Sequence, residues 1–205
     1  MLVKIPRQVC KEKYRIFPSC HYDSKTEQEE SFYPKVYKSY VLSFRSKTFR
    51  GHVNQLGIEL TSLANLLHYD HFLFLGDTEK PWLNQNNDYP PAKAAQEYLS
   101  ERKIGRQFNG ALKVNTPELA LFAKHISWLI RCNASLPYFY FIDEEQNLIG
   151  NICQYGNIHI DSLNKRIDGL LKNAISKTKF EILKDTNCFN QFGKTREISG
   201  RKTIV

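Results

Sequence analysis

The chain has 205 residues, a formal net charge of +8, 41% apolar residues and 24% charged residues. This balance excludes a disordered protein, and the length is sufficient for one domain with a sizeable core. No segment approaches the ~18–20 apolar residues of a membrane-spanning helix, and the charged N-terminus MLVKIPRQVCKEKY is not typical of a secretory signal. With five widely spaced cysteines, an odd number, the sequence predicts a cytoplasmic protein with reduced thiols.

Strands and helices are predicted to alternate along the first half of the chain. Residues 1–35 show no regular pattern and are predicted to be irregular. Beyond them, β-branched and aromatic residues predict strands, and apolar residues at i, i+3 and i+4 predict helices. These signals give a strand at 36–44, a helix at 53–67, a strand at 71–77, a helix at 92–103 and a strand at 108–114.

The clearest helix is predicted over 116–133, with Thr116 as its N-cap and Pro117 at its first position. Its apolar residues cover more than half of its circumference, so the helix should be largely buried. After it, YFYFI and LIGNIC flank DEEQN, which is typical of a β-hairpin. A last helix capped by Asp161 or Ser162 and ending at Ser176, and a strand at 179–183, complete the pattern.

This order predicts an α+β (mixed α/β) fold with a central mixed sheet and helices packed on it. The alternation resembles α/β folds, whereas the hairpin requires antiparallel pairing. One domain is predicted over 1–184, followed by a basic polar tail at 185–205.

The segment from Leu148 to Asp161 contains the first candidate for chemistry. If it is one strand, Cys153, His159 and Asp161 share one face, and Cys153 and His159 lie ~20 Å apart. A turn at Gly156 would instead bring them opposite each other, as cysteine–histidine catalysis requires. The solvent-facing strand is the favoured interpretation, and the turn is the alternative.

Asp77 and Asp143 form a second candidate, because each follows a strongly apolar strand. Carboxylates at the ends of neighbouring parallel strands could hold Mg²⁺. Asp is also a common turn residue, which is the favoured role for both, most strongly for Asp143.

Cysteines and histidines offer only a weak metal motif in the N-terminal part of the chain. The set is Cys10, Cys20, His21, His68 and His71, whose spacing does not match that of structural zinc sites. No resident metal or cofactor is predicted from these patterns.

The charge is divided unevenly along the chain. Residues 1–50 carry +6, residues 51–161 carry −4 and residues 162–205 carry +6. Basic ends favour a non-enzymatic binding or regulatory protein whose anionic partner is nucleic acid or an acidic protein. The candidate contacts are Arg45, Lys47, Arg50, Lys165, Arg166, Lys172, Lys194, Arg196, Arg201 and Lys202. The alternative is a small metal-assisted hydrolase or nuclease that uses Asp77, His159 and Asp161.

Overall fold

The computed structural model describes residues 2–23, 27–184, 187–193 and 195–203, and only the backbone of Asp23. Within this part of the chain there are ten strands and five helices. The strands are Leu2–Ile5 (β1), Ser19–Asp23 (β2), Gln28–Phe32 (β3), Lys38–Ser43 (β4), His71–Gly76 (β5), Ala111–Asn115 (β6), Phe139–Ile142 (β7), Leu148–Ile152 (β8), Ile158–Ser162 (β9) and Glu181–Ile182 (β10). The helices are Arg7–Lys13 (α1), Phe49–Leu66 (α2), Pro90–Glu101 (α3), Thr116–Cys132 (α4) and Lys165–Ile175 (α5).

Eight strands form one sheet in the order β1-β6-β5-β7-β8-β9-β4-β10, while β2 and β3 form a separate hairpin. The α+β prediction, with helices packed on a central sheet, is confirmed. Every pair of named strands is antiparallel, so the parallel pairs of a mixed sheet are not found among the described strands. A helix between two strands leaves their relative direction open, and β5 and β6 run antiparallel on either side of α3.

The two faces of the sheet bury different clusters of side chains. Helices α2 to α5 cover one face with the larger core, which contains Phe72, Phe74 and Phe141. On the other face, α1 and the chain after it cover a smaller group around Leu73, Leu75, Ala111, Ile142 and Ile149. Period-2 alternation along each strand therefore separates the two cores.

Most of the predicted elements are found, and the differences lie at the ends of the chain and at helix starts. The prediction that 1–35 is irregular was wrong, because β1, α1, β2 and β3 lie there. Helix α4 starts at Thr116 with Asn115 as its N-cap, and the Thr116 hydroxyl donates to the Tyr69 carbonyl instead. The N-cap of α5 is Asn164, whose side chain accepts from Ile167 N, and not Asp161 or Ser162.

Helices α2 and α4 cross at very short range, and this crossing positions the side chains discussed below. A Cβ atom on Gly57 would lie 2.2 Å from the backbone oxygen of Ala120. Glycine is therefore required for the close approach, which brings Phe49 at the start of α2 beside Trp128 of α4.

The C-terminal segment, defined here as residues 187–203, lies against the rest of the protein where it is described. Gln191 Nε2 donates to the Phe44 carbonyl at 3.1 Å, and Lys202 N donates to the Cys132 carbonyl at 2.8 Å. Among the described residues, none of the helices combines the length and apolar character needed to cross a membrane.

Candidate functional site

The chain reverses direction at Gly156, so the alternative interpretation of 148–161 is correct and the single extended strand is wrong. Strands β8 and β9 pair antiparallel with Asn151 opposite His159, and Cys153 N donates to the Asn157 carbonyl at 2.9 Å. Gly156 has a φ of +81°, which a residue with a side chain rarely adopts. The turn thus brings Cys153 and His159 to the same end of the hairpin.

A third residue, Cys188 of the C-terminal segment, completes a Cys–His–Cys cluster with Cys153 and His159. The two Sγ atoms lie 3.4 Å apart, and Asn157 Nδ2 donates to Cys188 Sγ at 3.2 Å. One donor atom from each of the three residues lies within 4.8 Å of the others. Sequence spacing gave no signal for Cys188, which is 35 residues from Cys153.

The pKa values of the two thiols of the cluster are shifted in opposite directions. The hydrogen bond with Cys153 is the main cause that lowers the pKa of Cys188 to about 4, and His159 and Asn157 lower it further. The contact with Cys188, followed by burial, raises the pKa of Cys153 well above its ordinary value. The lowered pKa favours the thiolate form of Cys188, which is the form of cysteine that attacks electrophiles and binds metals.

The cluster lines a cavity of about 430 Å³ at the end of the sheet where β8 turns into β9. Besides the cluster, polar and aromatic side chains line this cavity, among them Tyr138, Tyr140, Asn151, Gln154 and Arg201. This mixture of donors and acceptors suits a small polar ligand better than an apolar one.

Neither Asp161 nor Asp77 lines the cavity beside the cluster. Asp161 lies two residues beyond His159 on β9, and its carboxylate accepts a hydrogen bond from Tyr33 Oη at 2.6 Å. Asp77 follows β5 and accepts from Tyr138 N at 3.0 Å. Of the four candidate catalytic residues, the structure brings together only Cys153 and His159.

The candidate magnesium pair of Asp77 and Asp143 is wrong, because β5 and β7 run antiparallel. Asp77 and Asp143 each follow one of these strands, so they lie at opposite ends of the strand pair. Asp143 is fully buried and holds the hairpin turn. Its Oδ1 atom accepts from Asn147 N and Leu148 N, each at 2.8 Å. Asp143 therefore has the structural role that the sequence favoured.

The N-terminal cysteines and histidines are not brought together as a group of potential metal ligands in the described part of the chain. Cys10 is a buried residue of α1, whereas Cys20 lies in the β2–β3 hairpin. The only group of three or more potential ligands among the described residues is the Cys–His–Cys cluster.

A second and larger cavity, of about 980 Å³, lies between α2, α4 and the C-terminal segment, and we call it the cationic cleft. Its basic lining residues are Lys47, Arg131, Arg201 and Lys202. Four aromatic side chains, Phe49, Tyr89, Trp128 and Phe192, also line it. Arg201 borders both cavities, so the cationic cleft is adjacent to the cavity of the cluster.

The structure divides the predicted anion contacts into groups. Lys47, Arg201 and Lys202 meet in the cationic cleft, together with Arg131, which the sequence did not single out. Arg50 lines a neighbouring cavity of about 310 Å³ that also reaches Trp128. Arg45 and Arg196 are exposed outside the lining of the cleft, and Lys194 lies outside the described residues.

None of the three basic residues of α5 lines the cleft. Arg166 lines a cavity with Leu67 and His68, at the C-terminal end of α2, whereas the cleft lies at its N-terminal end. The 18 residues of α2 separate the two places by about 27 Å. Lys172 is paired with Asp168 at 2.9 Å. Both basic ends of the chain therefore contribute to the cleft, through Lys47, Arg201 and Lys202, but the basic residues of α5 do not line it.

No known protein family matches this chain, and no curated protein is significantly similar to it in sequence.

Proposed function

We propose that this protein binds single-stranded nucleic acid in the cationic cleft. The observation that carries the proposal is the convergence of four basic and four aromatic side chains on one cavity of about 980 Å³. Proteins that bind single strands combine a positively charged groove for the phosphates with aromatic rings on which the bases stack.

The cations of the cleft support an anionic ligand because they lack carboxylate partners. Among the described residues, none of Lys47, Arg131, Arg201 and Lys202 is in an ion pair. Burial lowers the pKa of both arginines, and Arg201 Nε has no hydrogen-bond partner in the described chain. A partly desolvated cation without a counterion is costly, and a bound phosphate would offset that cost.

Among the aromatic side chains of the cleft, Tyr89 offers an exposed surface for a base, whereas Phe49 and Trp128 are buried beside it. Tyr89 is 52% exposed and packs edge-on against Trp128, with 5.9 Å between ring centroids. Arg131 lies over the Phe49 ring, with its guanidinium carbon 4.1 Å from the centroid. Stacking of a base on an exposed ring such as that of Tyr89 contributes ~1–3 kcal/mol.

Two acidic residues, Asp88 and Glu197, also line the cleft. The four cations and these two carboxylates together give the lining of the cleft a net charge of +2. This balance supports moderate, salt-dependent binding rather than a strongly positive groove. The concave, aromatic shape favours a flexible strand over the surface of a folded acidic protein.

The test is fluorescence anisotropy with labelled single-stranded DNA and RNA, and with duplexes, between ~50 and ~200 mM salt. The double variant Lys47→Gln/Lys202→Gln should weaken single-strand binding. It should also flatten the slope of log affinity against log salt by ~0.7 for each lost phosphate contact. Tyr89→Ala should weaken binding by ~1–3 kcal/mol with little change of slope, because it removes stacking and not charge.

The matched control is Lys165→Gln/Arg166→Gln/Lys172→Gln on α5, which removes more charge than the double variant. If net charge alone governed binding, this triple variant would show the larger effect. We expect nearly unchanged binding, because α5 lies away from the cleft. Equal or greater loss in the triple variant contradicts the assignment to the cleft, and no binding at ~50 mM salt excludes nucleic acid as the partner.

A further inference from the structure

We infer that Cys153, His159 and Cys188 form a zinc site with one open coordination position. The site is separate from the cationic cleft, and the inference does not depend on nucleic-acid binding. Two thiolates and one imidazole are ligands that zinc prefers, and three protein ligands with an open fourth position are typical of catalytic zinc sites.

The distances between the donor atoms suit zinc. In a tetrahedral site with Zn–S bonds of ~2.3 Å, the two sulfur atoms lie ~3.8 Å apart. The Sγ atoms of Cys153 and Cys188 are 3.4 Å apart, so they need to separate by only a few tenths of an ångström. The His159 nitrogen lies within 4.8 Å of both, and a small rotation of the side chains brings all three to one ion.

A disulfide is the competing interpretation, and the geometry favours it less. Its S–S bond is ~2.05 Å long, so the sulfur atoms would have to approach by more than ~1 Å. A disulfide would also leave the convergence of His159 on the two sulfurs unexplained. Zinc uses all three side chains.

The surroundings of the cluster also resemble those of a zinc site. Asn157 Nδ2 donates to Cys188 Sγ at 3.2 Å and to the Phe189 carbonyl at 3.3 Å. These two bonds hold this part of the C-terminal segment against the β8–β9 turn. Hydrogen bonds to ligand atoms orient them and tune metal affinity. The second thiol, that of Cys153, lies in the tight turn between β8 and β9. The hydrogen bond from Cys153 N to the Asn157 carbonyl closes this turn and holds Cys153 in position.

The open position would face the cavity of about 430 Å³ that the cluster lines. A water molecule or an oxygen of a small polar ligand can complete the coordination there. Tyr138, Asn151 and Gln154 line the same cavity and offer hydrogen bonds to such a ligand.

Cobalt titration of the reduced, chelator-treated full chain tests this inference. Cobalt bound to thiolates in a tetrahedral site gives charge-transfer and d–d absorption bands. We expect these bands to saturate at about one cobalt per chain and to disappear when about one equivalent of zinc is added. Cys188→Ser and His159→Gln should each weaken metal binding by at least about tenfold.

Cys20→Ser is the matched control, because Cys20 lies in the β2–β3 hairpin outside the cluster and should leave the titration unchanged. Alkylation of the wild-type protein, followed by peptide mapping, gives a second measurement that needs no variant. Zinc should protect Cys153 and Cys188 and leave Cys20 reactive. Equal alkylation with and without zinc, or a Cys153–Cys188 disulfide in the reduced preparation, would overturn the inference.

Discussion

Replacing Gly57 by Ala sets helix propensity against packing, and the structure decides which effect is larger. Within a helix, Ala is favoured over Gly by ~1 kcal/mol, so propensity alone predicts a more stable protein. A Cβ on Gly57, however, would lie 2.2 Å from the Ala120 carbonyl oxygen and 2.9 Å from its carbonyl carbon. Ordinary contacts begin at 3.4 Å, so α2 and α4 would have to separate by about 1 Å.

The neighbour in this contact is backbone, which cannot rotate away as a side chain can. Overpacking of this kind costs ~1–3 kcal/mol, and the upper end applies because two helices must move. After the gain in propensity is subtracted, Gly57→Ala should lower the free energy of unfolding by about 2 kcal/mol. Because the crossing of α2 and α4 positions Phe49 beside Trp128, the same change should also weaken ligand binding in the cationic cleft.

Gly169→Ala on α5 is the matched control. Gly169 is exposed, and a Cβ there has no atom within 4 Å, so propensity acts alone and should stabilise the protein by ~0.5–1 kcal/mol. Urea unfolding followed by far-UV circular dichroism gives both values. If Gly57→Ala is as stable as the wild type or more so, the close crossing of the two helices is refuted.

Three other changes test the interior. Burial, with Lys124 and Arg102 nearby, lowers the pKa of His125 to about 4. The unfolded chain, with an ordinary histidine pKa near ~6.5, therefore takes up this proton first. Stability should fall by about 1–2 kcal/mol as the pH decreases from ~6.5 to ~4, and urea midpoints should show a smaller decrease for His125→Gln. Asp143→Ala leaves two backbone N–H groups without their acceptor and should lower the free energy of unfolding by about 2–3 kcal/mol. Asp143→Asn keeps an acceptor and should lower it by less than about 1 kcal/mol. Equal losses in those two variants would contradict the turn role. Trp128→Ala should lower the free energy of unfolding by ~3–5 kcal/mol in the same assay, because the ring is buried and packs edge-on against Phe49. A loss under ~1 kcal/mol would mean that α4 is a surface element.

Local patterns in the sequence were sufficient for the elements that are long or strongly apolar. The period of 3.6 residues placed α4 and most of α2, and continuous apolar runs placed β5 and β7, because burial imposes these patterns directly on the sequence. The role of Asp143 as a turn residue was also predictable, since a side chain that caps nearby backbone groups acts over only a few residues.

The short elements at the start of the chain gave no usable signal. The β3 strand is exposed along its whole length, so burial imposes no alternation on it. Strand direction was equally hidden, because a strand–helix–strand pattern is compatible with parallel and antiparallel neighbours.

The sequence by itself determined the α+β class, the helices and strands of the core, and the presence of Cys153 and His159 on one short segment. Only the tertiary structure decided that Gly156 turns the chain, that Cys188 joins the two residues from the C-terminal segment, and that α5 lies away from the cationic cleft. The physical reason is the range of the interactions. Hydrophobic periodicity and turn chemistry act between near neighbours and leave a pattern in the sequence, whereas a cluster from distant segments depends on how the sheet and helices pack.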